Sequence, residues 1–350
     1  MPARVPMESL LWIGVLLVSA VLTACLRSYA RRARLIDVPN SRSSHVVPTP
    51  RGGGLAIVIS LLLAWAVLAG LGRLPWAVLL GAGLGGGWIA LIGFIDDHRD
   101  VSARWRLLGQ ALATVWVLYW LPVAAVPLGD WWLEASWLVL LAGIGIVWLL
   151  NLFNFMDGID GLAGLEAAMV AAGAVLLQWS LGEAQGMAWA SAMLVAAAAG
   201  FLLWNWPPAR IFMGDVGSAT LGYLFGVMAV SGVFAPALSV WSWLILLGVF
   251  IVDATYTLIH RLLRGERVYQ AHRSHAYQRA ARWLGSHRRV TVTVGLINAL
   301  WLLPLAAMSV LWPGQAYALT AMAYLPLVGL CLWLGAGKPE RSPVGAVGEP

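Results

Sequence analysis

The residues best suited to chemistry follow one apolar stretch of the chain, where Asn151, Asn154, Asp157 and Asp160 lie close together. Asp157 and Asp160 stand at positions i and i+3, which places both carboxylates on one face if the segment is helical. A glycine after each aspartate leaves room for a ligand to approach. The spaced ligands and terminal glutamate of a calcium-binding EF-hand are missing. Because such polar groups are costly near hydrocarbon, the cluster predicts a functional site at a membrane boundary.

Asp96 and Asp97 form a second polar cluster at the end of another apolar stretch. Neighbouring residues of a helix point about 100° apart, so we expect one carboxylate to face the site and the other to support it. Solvated ion pairs with the nearby arginines are the alternative interpretation.

Asp215 precedes a further apolar stretch and lies between Gly214 and Gly217. A helix N-terminus at this point favours phosphate, and the carboxylate favours a hard cation. The segment therefore predicts a magnesium-bridged diphosphate site, with a simple N-cap role for Asp215 as the alternative.

Arg51, Gly52, Gly53 and Gly54 belong to an early loop that also contains several prolines. Successive backbone N–H groups of the glycines, with Arg51 beside them, predict an anion-binding nest. An ordinary basic cytoplasmic loop is the alternative.

The longest and most basic loop contains His272, Arg273 and His275. These side chains are donors suited to phosphate oxygens. A zinc site is the alternative for the two histidines, but no third ligand with suitable spacing lies nearby.

The elements that carry these clusters follow from composition. Hydrophobic residues make up 61% of the chain, charged residues 11%, and the mean hydropathy is +0.80, which excludes a soluble globular domain. The sequence therefore predicts an all-α integral membrane protein. Apolar stretches of about 20 residues indicate about eleven transmembrane helices, at 9–27, 53–72, 75–95, 107–127, 135–150, 162–181, 187–204, 216–234, 238–259, 290–311 and 315–335.

Basic residues are distributed very unevenly between the two sides of this arrangement. Of the 22 Lys and Arg residues, only Arg4 and Arg73 fall on one side. By the positive-inside rule the N-terminus is outside, the C-terminus is cytoplasmic, and the active site is built from cytoplasmic loops. The pI near 9.7 reflects this topology and needs no nucleic acid partner.

Residues 1–337 are predicted to form one membrane domain with a retained first helix. Residues 338–350, rich in glycine, proline and charge, predict a disordered cytoplasmic tail. Cys25 and Cys331 fall in predicted spans without metal-ligand spacing, so neither a structural disulfide nor a zinc site is indicated.

The chain resembles the polyprenyl-phosphate N-acetylhexosamine-1-phosphate transferases of glycosyltransferase family 4. The resemblance covers about residues 30–290 and is carried, in order, by the Asp96-Asp97 pair, Asn151-x-x-Asn154-x-x-Asp157-Gly-x-Asp160-Gly, Phe212-Met-Gly-Asp215-x-Gly-Ser218 and a late histidine motif. It implies transfer of a sugar-1-phosphate from a UDP-sugar to undecaprenyl phosphate, with Mg²⁺, or alternatively Mn²⁺, and release of UMP. It also implies a multi-pass enzyme of the cell inner membrane.

The resemblance and the clusters together assign roles to the candidate residues. Asp215, with Asn154, is implied to bind the metal, and Asp96 and Asp97 to handle the lipid phosphate. The predicted catalytic residues are Asp96, Asp97, Asp157, Asp160, His272 and His275. The predicted substrate-binding residues are Arg51, Gly52, Gly53, Asn151, Asn154 and Arg273.

Two segments depart from the peptidoglycan branch of this family. The late motif reads His272-Arg-Ser-His275 instead of three successive histidines, and the early loop reads Pro-Thr-Pro-Arg51-Gly-Gly-Gly. These features resemble the O-antigen branch, whose donors are UDP-N-acetylated aminosugars that include 6-deoxy forms such as N-acetylfucosamine.

Two other functions stay open at this stage. Intramembrane carboxylates such as Asp253 also occur in lipid or ion transporters, although the polar groups here lie on one side and no internal repeat is visible. A prenyl-diphosphate phosphatase would use the same kind of metal site. Besides the two substrates, the expected partners are membrane lipid and, as an open alternative, a second copy of the chain.

Overall fold

The computed structural model describes residues 7–40, 43–99, 101–128, 130–133, 137–182, 187–231, 238–266 and 272–339. The predicted tail from Lys338 lies mostly outside these residues. The α-helices of the described residues are α1 (Met7–Arg32), α2 (Leu55–Gly70), α3 (Trp76–Val78), α4 (Leu84–His98), α5 (Ala103–Trp120), α6 (Trp137–Met156), α7 (Leu162–Ser180), α8 (Met187–Asn205), α9 (Asp215–Ser231), α10 (Val240–Leu246), α11 (Gly248–Leu263), α12 (Ala276–Leu284), α13 (His287–Ile297), α14 (Leu303–Leu311) and α15 (Ala316–Leu334).

Short segments of other structure join these helices. The π-helical turn Leu79–Gly83 links α3 to α4, and the π-helical turn Asn298–Leu302 links α13 to α14. Strand β1 (Ile36–Asp37) pairs antiparallel with β2 (Thr49–Pro50), and β3 (Val126–Leu128) pairs antiparallel with β4 (Trp131–Leu133).

The predicted all-α membrane architecture is confirmed. Among the described residues, seven helical segments are long and apolar enough to cross a membrane, and the bent pair α10 and α11 brings the number to eight. Each of the eleven predicted spans overlaps a helix or a joined pair of helices. The number of crossings and their orientation stay predictions.

The fifth predicted span ends later than expected. It was predicted over 135–150, but α6 continues to Met156, since its buried apolar face extends through Phe153. Asn151 and Asn154 therefore lie on a helix, and their prediction as loop residues is wrong.

The ninth predicted span, 238–259, is not one straight helix. It consists of α10 and α11, which meet at an angle of 80°. Gly248 begins α11 at the bend, where the side chain of Leu302 packs closely against it.

Helix α9 lies between α4 and α6 and is buried along almost its whole length. Close approach is achieved with glycines, as in many membrane bundles. A Cβ added at Gly93 of α4 would lie 2.6 Å from the Cα of Val216. On the other side, Gly222 of α9 faces the backbone of Leu149 in α6. This packing brings the ends of α4 and α6 to the first residue of α9, Asp215.

Candidate active site

Four of the predicted polar clusters meet at one cavity of about 200 Å³. The cavity lies where α4 and α6 end and α9 begins, and loops close its outer side. The predicted site residues that line it are Arg51, Asp97, Asn154, Asp157, Asp160 and Asp215.

Asp215 is the first residue of α9, and its side chain is about one third exposed to the cavity. Asn154, near the end of α6, donates a hydrogen bond from Nδ2 to Asp215 Oδ1 (2.7 Å) and approaches the hydroxyl of Ser218 (3.2 Å). The two residues predicted to hold the metal are thus in direct contact, although they are far apart in sequence.

Asp97 caps the helix that carries Asp215. Its carboxylate accepts hydrogen bonds from the backbone N–H groups of Asp215 (3.2 Å) and Val216 (3.3 Å). The guanidinium of Arg51 donates to the backbone carbonyl of Asp97 (2.6 Å). The N-cap role considered for Asp215 therefore belongs to Asp97, which reaches it from a neighbouring helix.

Asp96 points away from Asp97, as predicted for adjacent helical residues. Its carboxylate accepts hydrogen bonds from the N–H of Val101 (2.7 Å) and from Arg106 (2.9 Å). The same Arg106 nitrogen lies 3.3 Å from Asp215 Oδ2. Arg106 thus bridges the two carboxylates, which makes Asp96 a support of Asp215 beside the main cavity.

Asn151 does not reach the main cavity. Its amide nitrogen donates to Gln110 Oε1 (2.9 Å) and to the backbone carbonyl of Val147 (2.8 Å). Together with Asp96 it lines a smaller adjoining cavity that also touches Asn154 and Asp215. Its contact with Gln110 joins α5 to α6 behind the site.

Asp157 and Asp160 lie in a turn, so the helical arrangement considered for them does not form. Helix α6 ends at Met156, and Gly161 adopts the left-handed conformation with φ +74°. The side chain of Asp157 makes no hydrogen bond or ion pair within the described part of the chain. Burial, followed by the charges of the neighbouring carboxylates, raises the pKa of Asp157 well above its usual range.

The carboxylate of Asp160, unlike that of Asp157, is engaged by protein groups. Its carboxylate lies 3.2 Å from His287 Nδ1 and accepts a hydrogen bond from the N–H of Ala209 (3.0 Å). Burial alone would raise the pKa of Asp160, but these two hydrogen bonds outweigh burial and lower it. Asp160 therefore stays ionised at neutral pH.

The early loop docks on the segment before Asp215 through its glycines. Gly53 and Gly54 donate their N–H groups to the carbonyls of Phe212 (2.9 Å) and Met213 (2.8 Å). Since these donors are already used, the anion-binding nest predicted at Gly52, Gly53 and Gly54 does not form in this structure. Arg51 is the part of the loop that lines the cavity.

The late histidines lie beside the cavity, and neither they nor Arg273 line it. His275 is buried, and its ring stacks on His272 with centroids 4.7 Å apart. Helix α12, which begins after His275, contributes Gln278 to the cavity wall instead.

Asp253, which suggested a transporter, has a structural role. Its carboxylate accepts hydrogen bonds from the N–H groups of Ala276 (2.8 Å) and Tyr277 (2.9 Å) and lies 3.4 Å from His275 Nδ1. It is therefore an N-cap for α12, supplied by the neighbouring helix α11.

Sequence reasoning missed several residues of the site. Arg106 and Gln110 lie four residues apart on the apolar helix α5, and such helical spacing of polar residues was a usable signal. His287 gave no comparable signal, because its partners come from distant segments. Other residues that line the cavity, and to which the sequence assigned no role, include Ser44, His45, Asn205, Phe212 and Gln278.

The chemistry of these residues fits Mg²⁺. Within the described residues no three His, Cys, Asp or Glu side chains form a ready-made metal cage. Mg²⁺ does not require one, because it usually binds through one or two carboxylates together with substrate phosphates and water. Asp215 and Asn154 offer such a partial site. The crowding of Asp97, Asp157 and Asp215 around one cavity also favours a cation there.

Comparisons with known proteins identify the family of this chain. Residues 76–233 match the family described as Glycosyl transferase family 4. A Bacillus subtilis (strain 168) protein named "Probable undecaprenyl-phosphate N-acetylglucosaminyl 1-phosphate transferase" is 31% identical over 300 residues, which cover 81% of this chain and 80% of that protein. The chain belongs to glycosyl transferase family 4. It is a multi-pass membrane enzyme of the phosphotransferase type.

Two further relatives widen the comparison. The decaprenyl-phosphate N-acetylglucosaminephosphotransferase of Mycobacterium leprae (strain TN) is 27% identical over 332 residues, covering 84% of this chain and 82% of that protein. The phospho-N-acetylmuramoyl-pentapeptide-transferase of Moorella thermoacetica is 36% identical over 198 residues, covering 52% of this chain and 61% of that protein. All three are named as transferases, so the transporter interpretation receives no support.

Proposed function

We propose that this enzyme transfers an N-acetylated aminosugar-1-phosphate from a UDP-sugar to undecaprenyl phosphate and releases UMP. The reaction would take place at the cytoplasmic face of the cell inner membrane. It would be the first membrane step in the synthesis of O-antigen or a related envelope polysaccharide. The observation that carries the proposal is the position of Asp215 at the start of α9, in contact with Asn154 and Arg106 and open to the cavity.

The polar cavity suits a diphosphate. Asp215 and Asn154 would hold Mg²⁺, which when bound supplies positive charge to the diphosphate and to the leaving UMP. Arg51 lines the cavity and can place its guanidinium against a phosphate oxygen. The N-terminus of α9 is already capped by the Asp97 carboxylate, so its first N–H groups are not assigned to the phosphate.

We favour a direct displacement. An oxygen of the lipid phosphate attacks the β-phosphorus of the donor, and the bond between that phosphorus and the bridging oxygen breaks as UMP leaves. Among the carboxylates that line the cavity, Asp157 makes no hydrogen bond or ion pair within the described residues, so it is the side chain best placed to contact substrate. A two-step route through an aspartyl phosphate would use the same residue, and both routes conserve atoms and charge.

The donor class is proposed from the two segments that depart from the peptidoglycan pattern. The early loop at Arg51 and the motif from His272 to His275 resemble the O-antigen branch. The relatives from Bacillus and Mycobacterium carry N-acetylglucosamine in their names. Both observations favour UDP-N-acetylhexosamines, including 6-deoxy forms, as donors.

The test is UMP release by the purified enzyme in detergent with Mg²⁺. We expect release from a UDP-N-acetylhexosamine only when undecaprenyl phosphate is added, and no use of UDP-N-acetylmuramoyl-pentapeptide. Release of inorganic phosphate from undecaprenyl diphosphate without UMP formation would instead support a phosphatase. Equal use of the pentapeptide donor would show that the assignment to the O-antigen branch is wrong.

A further inference from the structure

Asp160 joins three separate parts of the chain. One carboxylate oxygen, Oδ1, lies 3.2 Å from Nδ1 of His287, and the other, Oδ2, accepts the N–H of Ala209 at 3.0 Å. Its backbone carbonyl accepts a hydrogen bond from the hydroxyl of Thr291 (2.9 Å), one turn further along α13. Both carboxylate oxygens of Asp160 are therefore engaged by protein, whereas the side chain of Asp157 has no such partner in the part of the chain that the structure describes.

His287 continues this contact to the early loop. Its second ring nitrogen, Nε2, lies 3.1 Å from the backbone carbonyl of Ser44. The backbone N–H of Asp160 also points at Nδ1 (N···N 3.4 Å), but the carboxylate oxygen Oδ1 is closer (3.2 Å), so we assign Nδ1 as the donor to the carboxylate. The imidazole then faces an acceptor on each side, and a ring that carries both protons donates to both.

The position of His287 is fixed by its own helix. It is the first residue of α13, and Ser286 caps that helix by accepting the N–H of Arg289 (3.3 Å). Thr291 holds the next turn against Asp160. The ring is thus presented by a helix to two connecting segments, the turn at Asp160 and the loop at Ser44.

His287 also stands between two cavities. A second, more open cavity of about 600 Å³ adjoins the main cavity. This second cavity is lined by the early loop, Ala209 and the start of α13. The residues that line both cavities are Ser44, His45, Asp160, Phe212 and His287. The bridge from Asp160 through His287 to Ser44 therefore runs along their boundary.

We propose that His287 is a positioning residue, which clamps residues 43–49 to Asp160 and so shapes the boundary between the two cavities. In this arrangement Asp160 serves the clamp, and Asp157 is left to contact substrate. The clamp is a property of the protein alone. Its effect on donor binding rests on the proposed function.

The clamp is tested first without substrate, by amide hydrogen exchange of residues 43–49 in the purified full-length protein. His287→Phe keeps a ring but removes both nitrogen contacts, and we expect exchange in this segment to accelerate about tenfold or more, the effect of losing a charge-assisted hydrogen bond. His287→Gln retains a donor and should accelerate exchange less. His260→Phe, a histidine that stacks on Tyr256 away from both cavities, should leave this segment unchanged. Unchanged exchange in folded His287→Phe would overturn the proposal.

A second variant covers the case in which His287→Phe does not fold. Asp160→Asn keeps the shape of the side chain but removes the charge that faces the imidazole, so it should also accelerate exchange in residues 43–49. The double variant with His287→Gln should be little worse than the more severe single one, because both act on the same contact. Additive effects would contradict the clamp.

Kinetics then separate positioning from chemistry. His287 does not contact Asp215 or Asn154, so we expect His287→Gln to raise KM for the UDP-sugar about tenfold while kcat changes less. A fall in kcat with unchanged KM would argue against positioning of the donor. If His287→Phe accelerates exchange in residues 43–49 but the wild-type protein releases no UMP, the proposed function fails and the clamp stands.

Discussion

Neighbouring carboxylates at this site have different partners, and their expected roles follow from those partners. Asp96 and Asp97 both lie at the end of α4. Asp97 caps α9, whereas Asp96 points to the other side of α4 and binds Arg106. Residue types and spacing predicted that these aspartates belong to a site. They did not predict which oxygen atoms are engaged, because several partners come from α9 and α13, which are distant in sequence.

Asp215 is expected to be the most sensitive of the acidic residues. Asp215→Asn keeps the size of the side chain and its contact with Asn154 but loses the charge that would hold Mg²⁺. We expect UMP release to fall about a hundredfold or more, as for other charge-stabilising groups. Thermal unfolding in detergent should stay close to wild type. Asp130→Asn, an exposed residue in the turn before β4, is the matched control. Near wild-type turnover of Asp215→Asn would reject the metal assignment.

Asp96 tests whether the enzyme needs a general base. The second pKa of a phosphate monoester is about 6, so most of the lipid phosphate is fully ionised at pH 7. Since Asp96 is bound by Arg106 (2.9 Å) and Val101 (2.7 Å), we expect it to position Arg106. The ratio of wild-type activity to Asp96→Asn activity should then stay nearly constant from about pH 6.5 to 8.5. If activity relative to wild type recovers across that range at saturating Mg²⁺, Asp96 is a base.

At the scale of elements, the site depends on how closely α9 approaches α4 and α6. The sequence predicted the three helices. It did not predict that Gly93 meets Val216 or that α6 carries Asn154 to the site. Such contacts follow from tertiary packing, which a pattern of apolar residues does not encode.

Gly93→Ala tests this packing. The added Cβ would lie 2.6 Å from Val216 Cα, a backbone atom that cannot move aside cheaply. Overpacking of this kind costs about 1–3 kcal/mol, so we expect a lower apparent Tm and reduced UMP release through displacement of Asp215. Gly145→Ala on α6 is the control, because no atom lies within 4 Å of its added Cβ. A Tm for Gly93→Ala equal to that of the control would contradict this packing.

Two variants of Asp253 distinguish a role as a helix cap from a role as an ion carrier. Asp253→Asn keeps one of the two acceptor oxygens, which can accept from either Ala276 or Tyr277, whereas Asp253→Ala removes both. A lost cap costs about 1 kcal/mol, so we expect Asp253→Ala to lower Tm and UMP release while Asp253→Asn retains most of both. Equal loss in the two variants would indicate that the charge itself is required.

At the scale of the whole molecule, the predicted cytoplasmic segments converge. The early loop, the ends of α4 and α6, the start of α9 and helix α12 all contribute to one cavity or its wall. The alternation of spans predicted this convergence, because it placed these segments on one side of the membrane. The 80° bend between α10 and α11 was not predictable in the same way, since both helices are apolar and the chain between them contains no proline.

The side on which this cavity opens is a prediction for reporter fusions in cells. Because only two of 22 Lys and Arg residues lie on the opposite side, the positive-inside rule places the cavity in the cytoplasm. Reporters fused after Arg104, Arg210 and Gly285 should be cytoplasmic, and those fused after Trp132, Glu183 and Pro313 should be external. A water-soluble nucleotide donor would then reach Asp215 from the cytoplasm, while the lipid acceptor would reach it from the membrane, along the helices. A cytoplasmic reporter after Glu183 would contradict this topology, and with it the cytoplasmic orientation of the cavity.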